Sequence, residues 1–255
     1  MTGLAERLRA GETLISGWTQ LPEPLVPELV ARQGFDAVAM DMQHGLHDML
    51  SVMRSIGGIA YAGKPAVVRI PVGDNAAASR VLDYGAEAVI APMINSAADA
   101  RALIAATKYP PVGDRSWGPI RAMTVLGVPD LPTQLRIANQ TTMVFAMVET
   151  ARALEVVDEI LAVEGLDGVF MGPSDLSVTL SAGKEIAATA AWLDEPIRRL
   201  ADRADAAGKV AGAFAVNPAR GRFFIECGYR FIALGADQTY LAEGAKAMLA
   251  AVKAP

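Results

Sequence analysis

Only one cysteine, Cys227, stands in the 255-residue chain, so no internal disulfide can form, and a reducing compartment is expected. Set in FFIECGYRF, that thiol reads as a packed structural group, not a nucleophile. Histidine is almost as scarce. His44 and His47 are the only two, and no third imidazole exists to complete a zinc site. Positive charge is also short, with 23 Lys plus Arg against 28 Asp plus Glu, a net charge of −5, and no basic run. That balance argues against a nucleic-acid surface. No uncharged apolar stretch of about 18 residues is present to span a membrane. The opening MTGLAERLRAGETL carries charges where a signal peptide would be apolar. These absences describe a cytoplasmic globular protein.

What is present is a rhythm. Short apolar runs fall at 13–17, 36–41, 66–70, 88–92, 143–148, 167–171, 210–214 and 230–234. Segments such as NAAASRVLDYG and ETARALEVVDEILAVEG lie between them, with apolar residues three or four apart as amphipathic helices require. Several end in glycine, at Gly34, Gly85, Gly165 and Gly208. Eight strands alternating with helices over this length predict an α/β fold, a single-domain (β/α)8 barrel over residues 1–255. Strands that are apolar throughout suit a sheet covered on both faces. A doubly wound sheet would need fewer strands and a glycine-rich nucleotide loop after the first, which is missing. The stretch 109–132, YPPVGDRSWGPIRAMTVLGVPDLP, reads as a long irregular connection, and such connections are usually functional.

A barrel of this kind does its chemistry at the C-terminal ends of its strands. Those positions hold Trp18 and Gln20, then Asp41, Gln43 and His44, then Arg69, Pro92 and Met93, Glu149, Gly172 to Asp175, Phe214, and Gly235 to Asp237. Glu149 and Asp175 end adjacent strands. Two neighbouring carboxylates repel unless a cation separates them or one stays protonated. Hard ions such as Mg²⁺ or Mn²⁺ accept one or two carboxylates and leave other positions to water and substrate oxygens. Each acid could alternatively cap the helix that follows it.

Asp41, three residues before His44, suggests an acid–imidazole pair that orients the ring. His47 reads as a solvated loop residue. Arg69 closes an apolar strand and needs an anion at the rim, either Asp41 in a structural ion pair or charge developing on a substrate oxygen. None of the six lysines stands at a strand's C-terminal end, which argues against a Schiff base. Ser174 lies in GPSDL and not in a G-x-S-x-G elbow.

The segments FDAVAMDMQHG, PAVVRIPVGD, GAEAVIAPMINSAADAR, VETARALEVVDEIL and EGLDGVFMGPSDLS together resemble the HpcH/HpaI aldolase family over nearly the whole chain. The resemblance implies a class II pyruvate aldolase that cleaves 4-hydroxy-2-oxo acids to pyruvate and an aldehyde. It implies a divalent metal, Mg²⁺ or Mn²⁺ with Co²⁺ as a further option, held by Glu149 and Asp175. The pyruvate carboxylate would lie on the backbone at Ser174 and Asp175, beside Gly172 and Pro173. Arg69 would stabilise the enolate oxygen, and His44 paired with Asp41 would move protons. Asp83 matches an acid near the subunit interface, tied to the same network.

The same resemblance implies a homo-oligomer, most often a hexamer, whose sites borrow a loop from a neighbour. That would suit 109–132, with Val125 and Leu126 reaching a neighbour's rim near Phe214. Trp18 and Phe214 with Val125 and Leu126 would then make the aldehyde pocket partly apolar. One departure stands out. Met147 occupies a position where the family often has Gln, and a thioether donates no hydrogen bond. Two other readings remain open, a lyase for CoA thioesters of the malyl or citramalyl type and a non-catalytic metabolite-binding barrel. No basic patch supports the first, and the intact set His44, Arg69, Glu149 and Asp175 argues against the second.

Overall fold

Parallel strands dominate the computed structural model, which describes residues 3–253. They are β1 (Leu14–Thr19), β2 (Ala37–Asp41), β3 (Ala66–Arg69), β4 (Ala88–Ala91), β5 (Met143–Val148), β6 (Gly168–Met171), β7 (Val210–Ala215) and β8 (Phe231–Leu234). Each pairs with the next in sequence, and β8 returns to β1 through Leu14 opposite Phe231, so the sheet closes on itself. All eight expected strands are found. The main adjustment is at β1, which runs on to Thr19.

Closure divides every strand by parity. Along β5, Met143, Phe145 and Met147 face the barrel interior, whereas Val144, Ala146 and Val148 pack against the surrounding helices. The interior is filled by Phe145, Phe170 and Phe231 stacked edge and face, so the lower barrel is a solid core. Gly168 makes room for this: a side chain there would meet the Phe145 ring. The helix Leu4–Arg9 closes the N-terminal end by burying Leu4 and Leu8. Continuing the inward parity past the last hydrogen-bonded residue brings Gln20 and Glu149 to the mouth at the other end. Asp41, Arg69 and Phe214 hold the matching inward positions on their strands.

The connection 109–132 is less irregular than its proline content suggests. It contains a helix, Ile120–Leu126, packed against the helices Asn75–Tyr84 and Met49–Tyr61. A cis bond joins Pro110 to Pro111. The last helix, Asp237–Lys253, buries only its first residue, Asp237. Leu241, Met248, Leu249 and Val252 on it are exposed. Among the described residues no helix is long and apolar enough to cross a membrane.

Candidate active site

A cavity of about 170 Å³ opens at the C-terminal ends of the strands, lined by Trp18, Gln20, His44, Arg69, Met147, Glu149, Gly172 to Asp175, and Phe214. Ten of these eleven are residues that the sequence singles out for a role. A wider cleft of about 490 Å³ lies at the opposite end around Leu8, Arg9, Lys209 and Arg230. Two of its cations are already engaged, Arg9 by Asp167 and Lys209 by the Leu166 carbonyl.

Glu149 follows Met147 by inward parity and is buried. Its Oε1 accepts the Met93 backbone N–H at 2.8 Å, while the buried Oε2 has no hydrogen-bond partner. Met93 makes that donation from a left-handed backbone, φ 57°, unusual outside glycine. Burial pushes the Glu149 carboxyl up to about 7. The neighbouring Asp175 charge adds to the rise, and the Met93 N–H and Arg69 only partly oppose it. Gly172 packs directly on this carboxylate, and any side chain at 172 would collide with Oε2. This explains the glycine in GPSDL. Pro173 then starts the helix Pro173–Leu180, which places Asp175 in its first turn.

Among the described residues no three His, Cys, Asp or Glu side chains cluster as a complete metal site. The donor set is a pair of carboxylates, one carrying a buried oxygen without a partner. Such a pair suits a hard divalent ion that keeps other positions for water and substrate oxygens.

Asp41 corrects one expectation, its pairing with the His44 ring, and fulfils another, the structural ion pair with Arg69. Its Oδ1 accepts Arg69 Nε at 2.8 Å and its Oδ2 accepts Arg69 Nη2 at 2.6 Å. The same carboxylate takes the backbone N–H groups of Gln43 and His44, but not the His44 ring. Adjacency in sequence favours His44, yet inward parity sets Asp41 beside Arg69 on the next strand, in register. Burial alone would raise the Asp41 carboxyl, but the Arg69 guanidinium outweighs it and holds it below the usual range. Arg69 also lies over the Trp18 ring at 4.9 Å, and Trp18 meets Phe214 edge-on at 5.3 Å. Its Nη1 has no partner among the described residues. The His44 side chain is exposed at the cavity mouth.

His47 is not solvated. It is buried between Thr19 and Ser51, each 3.2 Å from a ring nitrogen, and burial lowers its pKa below 6.5. Asp83 stands away from the cavity and pairs with Arg115 at 2.6 Å. Val125 and Leu126 do not reach the mouth of their own barrel. Val125 packs on Gly85, and both line a small recess with Pro65 and Glu87, at the N-terminal ends of β3 and β4. Gln20 is the cavity residue to which sequence reasoning assigns no role. The two-residue step from Trp18 marks it as a strand-end position but does not say what its side chain does.

Comparison with known proteins agrees with this geometry. The family model described as HpcH/HpaI aldolase/citrate lyase matches residues 15–243. A hydroxypyruvate/pyruvate aldolase of Rhizorhabdus wittichii is 36% identical over 96% of each chain. A 4-hydroxy-2-oxo-heptane-1,7-dioate aldolase of Salmonella arizonae is 35% identical over 96% of this chain and 92% of its own. Among solved structures, an HpcH/HpaI aldolase/citrate lyase family protein from Burkholderia cenocepacia superposes with a TM-score of 0.87 at 29% identity, covering 100% of both chains.

Proposed function

The chain belongs to the HpcH/HpaI aldolase/citrate lyase family, and from that premise we propose that it is a divalent-metal-dependent aldolase. It would join pyruvate, or a close analogue such as hydroxypyruvate, to an aldehyde and cleave the resulting 4-hydroxy-2-oxo acid. The observation that carries this reading is the buried, unpartnered Oε2 of Glu149 in one cavity with Asp175 and Arg69.

Glu149 and Asp175 would hold the ion, Mg²⁺ or Mn²⁺. When bound, it supplies a Lewis acid that polarises a keto oxygen. The rest falls to the chain. The first N–H groups of the helix Pro173–Leu180, at Ser174 and Asp175, have no partner within the helix and suit the donor's carboxylate. Arg69 is held rigidly by Asp41, which leaves Nη1 for the negative charge that develops on the keto oxygen when a C3 proton departs. His44, at the mouth and open to water, takes and returns that proton directly or through a solvent molecule. Asp41 acts through Arg69, not through His44. Trp18, Phe214 and Met147 give the rest of the cavity an apolar wall that keeps bulk water from the carbanion.

The protein is proposed to be a cytoplasmic homo-oligomer, with a hexamer as the family resemblance implies. The exposed Leu241, Met248, Leu249 and Val252 favour association of copies, since such side chains are costly to leave in water. Asp83 is proposed to belong to a site shared between copies. A retro-aldol assay across a panel of 4-hydroxy-2-oxo acids, with and without chelator, tests the assignment. Pyruvate release that stops with chelator and returns with Mg²⁺ or Mn²⁺ supports it, and full activity in chelator refutes the metal.

A further inference from the structure

Gln20 is held more firmly than a loop residue at a cavity mouth needs to be. Its backbone N–H and that of Leu21 both donate to Oδ2 of the buried Asp237, each at 3.0 Å. Its carbonyl accepts the Leu46 N–H at 2.7 Å. Gly45 lies flat on it, so that a side chain at 45 would come within 3.0 Å of the Gln20 Cα. Three backbone bonds therefore fix where the side chain starts. The carboxamide itself makes no hydrogen bond to any described residue, although it lines the cavity. A carboxamide offers two donors and one acceptor. Here they line the same cavity as Trp18 and Phe214, with no hydrogen-bond partner among the described residues.

Its place in the ring says which reactant it meets. In a closed barrel of eight strands in sequence order, β1 lies across the mouth from β5, which carries Glu149. The donor acid occupies the Glu149, Asp175 and Ser174 side, so Gln20 faces the incoming aldehyde. Space there is short. The whole cavity measures about 170 Å³. Among the described lining residues Arg69 is the only cation, and Asp41 already binds it. With the proposed ion and Arg69 both serving the pyruvate, a second carboxylate on the acceptor would find no further counter-charge.

We infer that Gln20 is the residue that selects the acceptor, hydrogen-bonding a hydroxyl on a short, uncharged aldehyde. This rests on the aldolase reading and adds the acceptor's chemistry to it.

The test compares glycolaldehyde with propanal, in which a methyl replaces the hydroxyl, as acceptors for pyruvate with Mn²⁺ and the full chain. The parent should favour glycolaldehyde in kcat/KM. Gln20→Met, of similar length and apolar, should cut that preference about tenfold, the scale of one lost hydrogen bond. Gln20→Glu keeps an acceptor oxygen at the same reach and should retain the preference for glycolaldehyde over propanal. An unchanged ratio in Gln20→Met, or an equal fall for both aldehydes, overturns the assignment. Should the methionine variant not fold, loss of the preference in Gln20→Glu overturns it instead. A parent that adds pyruvate to both aldehydes without preferring glycolaldehyde overturns the inference and leaves the aldolase reading standing. A parent that joins pyruvate to neither aldehyde overturns this inference, and the aldolase reading falls with it only if the panel of 4-hydroxy-2-oxo acids also releases no pyruvate.

Discussion

The carboxylate of Glu149 occupies the space where residue 172 would carry a side chain, and Gly172 leaves that space open. The acid directly follows one strand, and the bare Cα that accommodates it directly follows the next. Gly172→Ala should therefore displace Oε2 and weaken Mn²⁺ binding by at least about tenfold, since supporting contacts of metal ligands carry effects of that size. Titration calorimetry with Mn²⁺ checks it, and parent-like affinity would mean that Oε2 is not a ligand.

Stability without metal should respond to pH through Glu149. Its folded pKa of about 7 lies above the ordinary 4.5, so the folded chain binds the extra proton between those values. The stabilising contribution of the protonated form is full below about pH 4.5 and is lost as pH rises through 7. Thermal unfolding of metal-free protein should show this slope. Glu149→Gln should flatten it, and saturating Mn²⁺ should remove it in the parent. A slope identical in parent and Glu149→Gln would assign it to other groups.

The Asp41–Arg69 pair should serve both stability and chemistry. Asp41→Ala leaves a guanidinium almost buried without its partner and should destabilise by about 3–5 kcal/mol. Arg69→Ala should reduce turnover about 10²–10³-fold and slow pyruvate C3 proton exchange with it. Denaturant unfolding and deuterium exchange into pyruvate measure the two. Parent-like exchange in Arg69→Ala would remove it from the proton-transfer step.

The two histidines should behave differently. His44→Ala, at an exposed position, should cost about 10²–10⁴ in turnover while the melting temperature stays close to the parent's. His47 is neutral in its buried setting, and its folded pKa lies below the ordinary 6.5. It therefore takes stability away as pH falls through 6.5, where the unfolded chain gains a proton that the folded chain resists. His47→Gln should lessen that acid loss. If His44→Ala kept parent turnover across the pH range, the general-base role would belong elsewhere.

The barrel was legible in the amino-acid sequence because its determinants are local. Eight apolar runs at helix-spaced intervals leave few architectures, and each strand end shows its polar residue in plain sequence. Glu149, Arg69 and Asp175 could be read this way without knowing what touched them. Pairing across strands was legible only as one of two alternatives, since Arg69 could be expected on Asp41 or on a substrate oxygen. Asp41 has a histidine three residues away and an arginine 28 residues away, and it binds the arginine because the parallel register of β2 and β3 puts their last inward positions side by side. Burial of single polar groups was equally hidden. His47 follows a rim loop, yet the N-terminus of the next helix folds over it and Thr19 closes from below. Val125 shares a stretch full of prolines, but a short helix turns it onto Gly85 and away from the mouth of its own barrel. Periodicity along one chain sets which residues face inward. Which of those residues meet depends on strands that only closure of the sheet brings together, and the tertiary structure alone decides that.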